Sequence, residues 1–101
     1  IQETNTPFLR ALMRAWESVL GLPEIPDCDG VNSHARALVR LAGLHGDMAA
    51  YLEYYKRTDA AEKELLERAE CLARLERDHP HEKALISEAR NAKTRLDKRI
   101  R

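Results

Sequence analysis

The sequence contains few of the residues that build β-strands. Val19, Val31 and Val39 are its only valines, and none alternates with polar neighbours as a half-buried strand requires. Aromatic residues are also scarce, at 5% of the chain, whereas charged residues make up 34%. Leucine, alanine, glutamate, lysine and arginine dominate, a composition typical of helical bundles. The sequence therefore predicts an all-α fold, and its 101 residues predict a single domain.

Other absences indicate the cellular compartment of the protein and the kinds of partner that it lacks. Its two cysteines, Cys28 and Cys71, are too few for a disulfide framework. No apolar run reaches the length of about 18 residues that indicates a transmembrane helix, and no segment has the apolar core of a secretory signal. The 17 basic and 17 acidic residues cancel, so no net charge attracts the chain to nucleic acid or anionic lipid. We expect a cytoplasmic protein with no membrane partner.

The first helix has clear start and stop signals. Thr6 is a capping residue, and Pro7 occupies the first helical position, where its missing N–H costs nothing. Apolar residues recur at helical spacing as far as Leu20, and Gly21 then ends the helix. The connector over residues 21–31 contains two prolines and two glycines.

A short second helix and a long third helix follow the connector. The apolar spacing predicts helix two over residues 32–44, because Gly43 and Gly46 weaken its end. Residues 48–78 contain neither glycine nor proline, so they are predicted to form one long helix three. Acid–base pairs four residues apart are predicted on the exposed face of helix three: Glu64–Arg68 and Glu70–Arg74.

Pro80 ends helix three and suits the first turn of helix four, which is predicted to continue to Ile100. The connector between them is so short that helices three and four are predicted to form a long antiparallel hairpin. We therefore expect two short helices and a connector in residues 1–46 and the hairpin in residues 47–101.

No set of polar residues has the spacing that catalysis or metal binding requires. His79 and His81 are two residues apart, which places them on different helical faces, while His34 and His45 are eleven apart and too distant to share an ion. In the sequence Asp-Cys-Asp at 27–29, the carboxylates disfavour the thiolate, so a turn is expected there. We expect a protein that is not an enzyme and has no cofactor and no metal site.

The strongest local charge lies at the C-terminus. Residues 90–101 carry six basic residues and one acidic residue, whereas residues 1–50 carry four basic and six acidic residues. Cations in a last turn stabilise the negative end of a helix, and six of them are also enough to contact the phosphates of duplex DNA. The candidate DNA contacts are Arg90, Lys93, Arg95, Lys98 and Arg99.

Helix one has a large apolar face for so short a chain, and this face includes the only Trp and the only Phe. Such a face must be buried, either within the chain or against a partner. We therefore predict a homo-oligomer, or binding of a partner protein, through this helix. The predicted interface residues are Phe8, Leu9, Leu12, Met13, Trp16 and Leu20.

The second half of the chain carries a series of short motifs. They read Ala-Ala-Tyr-Leu-Glu-Tyr-Tyr-Lys-Arg at 49–57, Ala-Glu-Lys-Glu-Leu at 61–65, His-Pro at 79–80 and Ile-Ser-Glu-Ala-Arg-Asn-Ala at 86–92, after Asp47 and before Leu96. In these motifs the chain resembles the small terminase subunits of tailed bacteriophages. The similarity covers about half of the chain.

The resemblance implies a ring of identical, non-enzymatic subunits built around long helices. Such subunits bind the packaging site of the viral genome and regulate the large, ATP-hydrolysing terminase subunit. Helices three and four would then form the oligomerisation hairpin, and the N-terminal helices would face DNA. The leading hypothesis is thus an oligomeric subunit for DNA recognition and genome packaging. The alternative is a helical protein-binding regulator (an adaptor, anti-activator or chaperone) that uses the apolar face between Phe8 and Leu20.

Overall fold

Residues 5–100, the part of the chain whose backbone is described, fold into four helices joined by three connectors. The computed structural model describes the backbone of residues 5–100 and the side chains of residues 6–92. The helices are α1 (Asn5–Leu20), α2 (Ser33–Tyr54), α3 (Thr58–Asp78) and α4 (Lys83–Ile100). The all-α class and the four helices agree with the prediction, whereas the boundary between the second and third helices does not.

Helix α2 continues through the glycines at which the sequence predicts its end. An interior glycine costs roughly 1 kcal/mol of helix stability relative to alanine, yet α2 passes Gly43 and Gly46 and ends at Tyr54. Gly46 and Met48 are buried, so packing of this stretch outweighs its weak helix propensity. The predicted end at Leu44 is therefore wrong, because tertiary contacts override the local preference.

The break between α2 and α3 lies instead at residues 55–57, and it disproves the prediction of one helix over 48–78. The Arg57 N–H donates to the Leu52 carbonyl at 2.8 Å, and the Lys56 N–H donates to the Glu53 carbonyl at 3.0 Å. This pair of bonds is a Schellman motif, which requires one residue in the left-handed region. Lys56 adopts that conformation, with φ at 65°. The position usually holds glycine, so the sequence gives no signal for the break.

Helix α2 packs against each of the other helices, and most extensively against α3. Leu52 and Ala61, close to the connector, share one cluster of buried residues, while Leu38 and Leu75, far from it, share another. Helices α2 and α3 are therefore antiparallel and form the long hairpin of the fold. Helices α3 and α4 contact each other much less than either contacts α2. The predicted hairpin of these two helices is not confirmed.

The two remaining helices cover different parts of this hairpin. Leu9 and Met13 of α1 join the buried cluster that contains Met48 and Leu52. Leu85 and Ala89 of α4 join the cluster that contains Leu38 and Leu75, which lies toward the other end of α2. Each outer helix thus packs against α2 at a different place, and an open space is left between them.

The core also contains charged residues that were expected on the surface. Glu64 is 5% exposed and Arg68 is 6% exposed, so the prediction that this pair lies on the outer face of its helix is wrong. Both residues are in phase with Ala61, Leu72 and Leu75, which face α2. A carboxylate is buried at low cost only when its oxygens are hydrogen-bonded, so Glu64 requires partners from other helices.

Arg10 of α1 and His45 of α2 supply these partners. Nη2 of Arg10 lies 2.8 Å from Oε2 of Glu64, and Nδ1 of His45 lies 2.7 Å from Oε1. Burial by itself would raise the pKa of Glu64, but the hydrogen bonds from His45 and Arg10 outweigh burial and hold this pKa below its ordinary value. The carboxylate therefore connects α1, α2 and α3.

Candidate functional site

An open groove runs along α2. It has a volume of about 1320 Å³ and is bounded by α1, by α4 and by the connector between α1 and α2, residues 21–32. Only Arg68 comes from α3. Ligand sites in helical proteins are commonly formed between helices in this way.

Helix α1 contributes one wall of the groove. Leu12, Trp16 and Val19 line it, at spacings of three and four residues that place them along one face of the helix. Trp16 is half-buried, because it also packs against the buried cluster around Met48. The only tryptophan of the chain is thus partly fixed by the core and partly open to the groove.

The structure divides the predicted interface on α1 into four groups. Leu9 and Met13 are buried in the core of the same chain, so these two residues are not available to a partner. Leu12 and Trp16 line the groove, whereas Phe8 is 63% exposed on the surface and Leu20 is half-buried against both core clusters. The apolar face is therefore shared between the core and an open surface.

The connector forms an exposed apolar rim at one end of the groove. Leu22 is 60% exposed and Ile25 is 62% exposed, and both line the groove. Nε2 of His34 donates to the Leu22 carbonyl at 2.6 Å, which attaches the rim to the first turn of α2. The rim is thus held in place although its apolar side chains face solvent.

Asp27 fixes the rest of the connector. Oδ1 of Asp27 accepts hydrogen bonds from the N–H groups of Asp29 at 2.8 Å and Val31 at 3.0 Å, while Gly30 supplies the left-handed residue, with φ at 79°. Nε of Arg36 donates to Oδ2 of Asp27 at 3.0 Å, and this hydrogen bond holds the pKa of Asp27 below its ordinary value. The turn predicted at residues 27–29 is confirmed.

Small residues form the floor of the groove, so the space above them stays open. Ala42, Gly43 and Gly46 of α2 and Ala89 of α4 contribute to its surface. Apart from its two chain neighbours and the adjacent backbone of α2, a Cβ atom placed on Gly43 would meet no atom within 4 Å. A larger side chain at this position would therefore enter the groove without displacing the fold.

The charges around the groove have both signs. Three arginines (Arg36, Arg40 and Arg68) and four carboxylates (Asp27, Asp29, Asp47 and Glu88) belong to its lining. Asp27 and Asp29 lie within ion-pair distance of Arg36. Among the lining side chains that the structure describes, positive charges do not exceed negative ones, so this part of the groove does not favour a polyanion such as DNA. Its chemistry is that of an apolar surface with mixed charges.

The predicted DNA contacts lie on α4, and only one of their side chains is described. Arg90 is exposed, and its Nε lies 2.9 Å from Oε1 of Glu76 on α3. A phosphate would have to compete with this carboxylate for the guanidinium. The side chains of the other four candidates lie outside the described residues: Lys93, Arg95, Lys98 and Arg99.

Sequence reasoning missed the floor of the groove and the buried charges. The sequence around Gly43 predicts only a weakened helix end, because no local pattern indicates that α4 and the connector leave space next to this residue. For Glu64 and Arg68 a signal did exist, since both fall in phase with the apolar positions of α3. A charged pair in that phase is more consistent with a buried network than with an outer face.

Among the side chains that the structure describes, no three His, Cys, Asp or Glu residues converge where a metal ion could bind. Within the same part of the chain, every helix is too short or too polar to cross a membrane. No protein-family model, no curated protein and no solved structure matches the chain.

Proposed function

We propose that the chain is a non-enzymatic cytoplasmic regulator that binds an amphipathic helix of a partner protein in the groove along α2. One observation carries the proposal: Leu12 and Trp16, from the apolar face of α1, line an open groove, and Trp16 does so while it also packs against the core. A helix recognised in a groove places its apolar side chains, spaced three and four residues apart, against such walls.

Covering the exposed apolar rim with a partner helix would be energetically favourable. Leu22 and Ile25 leave apolar surface in water, and covering each of them would contribute about 1–2 kcal/mol to binding. The low floor at Gly43 leaves room for large anchoring side chains. Since the groove carries charges of both signs, the polar face of the partner helix would also carry both signs.

The only tryptophan makes this proposal directly measurable. Amphipathic helical peptides without tryptophan, which differ in the charge of their polar face, are titrated into the protein while the emission of Trp16 is recorded. Gly43→Leu should occupy part of the groove floor and weaken binding at least about tenfold, since one large side chain then takes the site of an anchor. Ala73→Leu is the matched control, because Ala73 is exposed on α3 outside the groove.

Two results would contradict the proposal. One is the absence of a saturable change in Trp16 emission with every peptide. The other is a Gly43→Leu variant that binds as tightly as Ala73→Leu, which would indicate that binding takes place elsewhere. Circular dichroism of both variants verifies that the helices are intact.

The second candidate is an oligomeric DNA-recognition subunit of the small-terminase kind, as the motifs of the second half suggest. Its support is the basic segment 90–101, most of which belongs to the last turns of α4. On this hypothesis α3 and α4 form the antiparallel oligomerisation hairpin of a ring. The large terminase subunit would be a further partner.

Binding to duplex DNA at several salt concentrations tests this candidate. If five cations contact phosphates, log K should fall with log salt concentration with a slope of about −4.5. Reversing Arg95, Lys98 and Arg99 to glutamate should abolish binding. Unchanged affinity of this variant at low salt, or a native mass that shows no ring, would remove the DNA hypothesis and leave the groove hypothesis in place.

A further inference from the structure

The apolar surface of α1 continues beyond the wall of the groove. Four residues at spacings of four, four and three form an outer stripe along the helix: Phe8, Leu12, Trp16 and Val19. The last three line the groove, whereas Phe8 lies one turn before them and is outside its lining. The rim residues Leu22 and Ile25 follow the stripe in the connector. An exposed apolar side chain therefore lies at each end of the stripe.

Helix α1 itself has the features expected of a helix that binds in the groove. Its outer stripe presents apolar side chains three and four residues apart, and its 16 residues span about 24 Å. Ala11 and Ala15 lie beside the stripe, on the side away from the core, and both are small and exposed, so a second helix can approach closely there. The chain thus carries both a groove and a helix suited to it, which is what a two-fold contact between identical subunits requires.

A two-fold axis near Ala15 places two copies of α1 side by side and antiparallel. Ala15 lies at the middle of the part of α1 that lines the groove, between Leu12 and Val19. In an antiparallel pair about this axis, residues whose numbers add to about 30 lie at the same level. Phe8 of one copy then lies beside Leu22 of the second copy. The exposed Phe8 and the exposed rim therefore cover each other at both ends of the pair.

Charged groups on the two copies are complementary in the same arrangement. At about 100° per residue, Arg14 lies about 160° around α1 from Leu12. When the Leu12 side meets α1 of the second copy, Arg14 therefore points to the opposite wall of the groove, which is formed by α4. Glu88 lines that wall. Both charged residues are exposed, and no described side chain forms an ion pair with either of them.

We propose that two copies of this chain associate about a two-fold axis near Ala15, with α1 of each copy in the groove of the other. The dimer covers the outer stripe and the rim, and it pairs Arg14 of each copy with Glu88 of the other. This self-association rests on the proposed function in that the groove accepts an amphipathic helix. The second copy is then a competitor of the partner helix, and the groove is open only after the dimer dissociates.

Substitution of Phe8 separates the dimer from the fold. Phe8 is 63% exposed, so Phe8→Ser should leave the monomer intact, as circular dichroism verifies. Its dimerisation constant should fall by about 100-fold or more, because each dimer loses two phenylalanine side chains and burial of each is worth at least about tenfold. Leu66→Ser is the matched control, since Leu66 is 67% exposed on α3 outside the groove, and its constant should stay within about threefold of wild type. Light scattering over a concentration series measures both.

A charge exchange tests the two-fold arrangement. Arg14→Glu and Glu88→Arg each place like charges together at two points of the dimer, so each should lower the dimerisation constant about fivefold or more. In an equimolar mixture of the two variants, a mixed dimer joins an acid with a base at both points. Native mass spectrometry should therefore show the mixed dimer in excess of both homodimers, and its constant should lie within about threefold of wild type.

Three results would overturn the proposal: a wild type that is monomeric at every concentration, equal dimerisation of Phe8→Ser and Leu66→Ser, and a mixture with no excess of the mixed dimer. Titrating the helical peptides into Phe8→Ser, whose groove lining is unchanged, separates this proposal from the proposed function. Peptide binding together with a monomeric wild type would overturn the self-association alone. Dimerisation as described, without binding of any peptide, would support the self-association and overturn the partner-helix function.

Discussion

Replacing Glu64 by glutamine tests the buried network that connects three helices. The substitution keeps the size of the side chain and removes its charge. One carboxylate oxygen of Glu64 accepts a hydrogen bond from Arg10 at 2.8 Å, and the other lies 2.7 Å from Nδ1 of His45. In the variant one amide oxygen and one NH₂ group face the two former donors, so one of the interactions is lost and the other is weakened.

The size of the effect follows from the exposure of the partners. A hydrogen bond to a charged group contributes about 1.5–3 kcal/mol when it is buried, and the side chains of His45 and Glu64 are 12% and 7% exposed. The side chain of Arg10 is 43% exposed, so solvent screening reduces its part to about 0.5–1 kcal/mol. We expect Glu64→Gln to lower the free energy of unfolding by about 2–3 kcal/mol in total.

Urea unfolding followed by circular dichroism measures this difference. Glu62→Gln is the matched control, because Glu62 is exposed on the same helix, and its effect should stay within about 0.5 kcal/mol. A loss of less than about 0.5 kcal/mol for Glu64→Gln would refute the reasoning, since the carboxylate would then contribute no more than a surface residue.

We also expect the stability difference between wild type and Glu64→Gln to depend on pH. The pKa of Glu64 is lower in the folded chain than its ordinary value of about 4.3. A group with a lowered folded pKa stabilises the protein above its unfolded pKa, and this contribution is lost as the pH falls toward the folded pKa. The difference in unfolding free energy between wild type and Glu64→Gln should therefore shrink as the pH falls below about 4.3. A difference that stays constant down to pH of about 2 would contradict the lowered pKa.

Three other predictions concern local features. The side chain of Asn32 accepts hydrogen bonds from the first N–H groups of α2, so Asn32→Ala should lower the free energy of unfolding by about 1 kcal/mol in urea titrations, and an unchanged value would contradict the cap. Gly43 is exposed inside α2 with open space at its Cβ position, so Gly43→Ala should raise the melting temperature, through a gain of about 0.5–1 kcal/mol. Burial raises the pKa of the Cys71 thiol to about 11, so iodoacetamide at pH of about 8 should alkylate the exposed Cys28 first, and equal rates by mass spectrometry would argue against that burial.

Sequence reasoning succeeded where a signal depends on a few neighbouring residues. Asn32 and Ser33 marked the start of α2, and the side chain of Asn32 does cap it. Leu20 ends α1 before Gly21, and α3 ends at Asp78, two residues before Pro80. Caps, prolines and apolar spacing act through the backbone of one or two turns, so they can be read without knowledge of the rest of the chain.

The candidate site was predictable only in part, because its shape depends on where distant helices lie and not on a few neighbouring residues. The apolar face of α1 was evident from its spacing, but the sequence could not divide it between the core and the groove. That division depends on how α2 lies across Leu9 and Met13, and it leaves Leu12 and Trp16 open. The space above Gly43 likewise results from the positions of other helices, which no local pattern encodes.

By itself, the sequence determined an all-α chain of four helices with most of their ends. Only the tertiary structure decided where α2 gives way to α3. Local propensity favours a break at Gly43 and Gly46 and a helix through Lys56, and the fold reverses both choices. Packing of α2 against three other helices outweighs roughly 1 kcal/mol for each glycine and the strain of one left-handed lysine. The strength of that packing depends on residues far apart in the sequence, such as Leu38 with Leu75 and His45 with Glu64, which meet only in the folded chain.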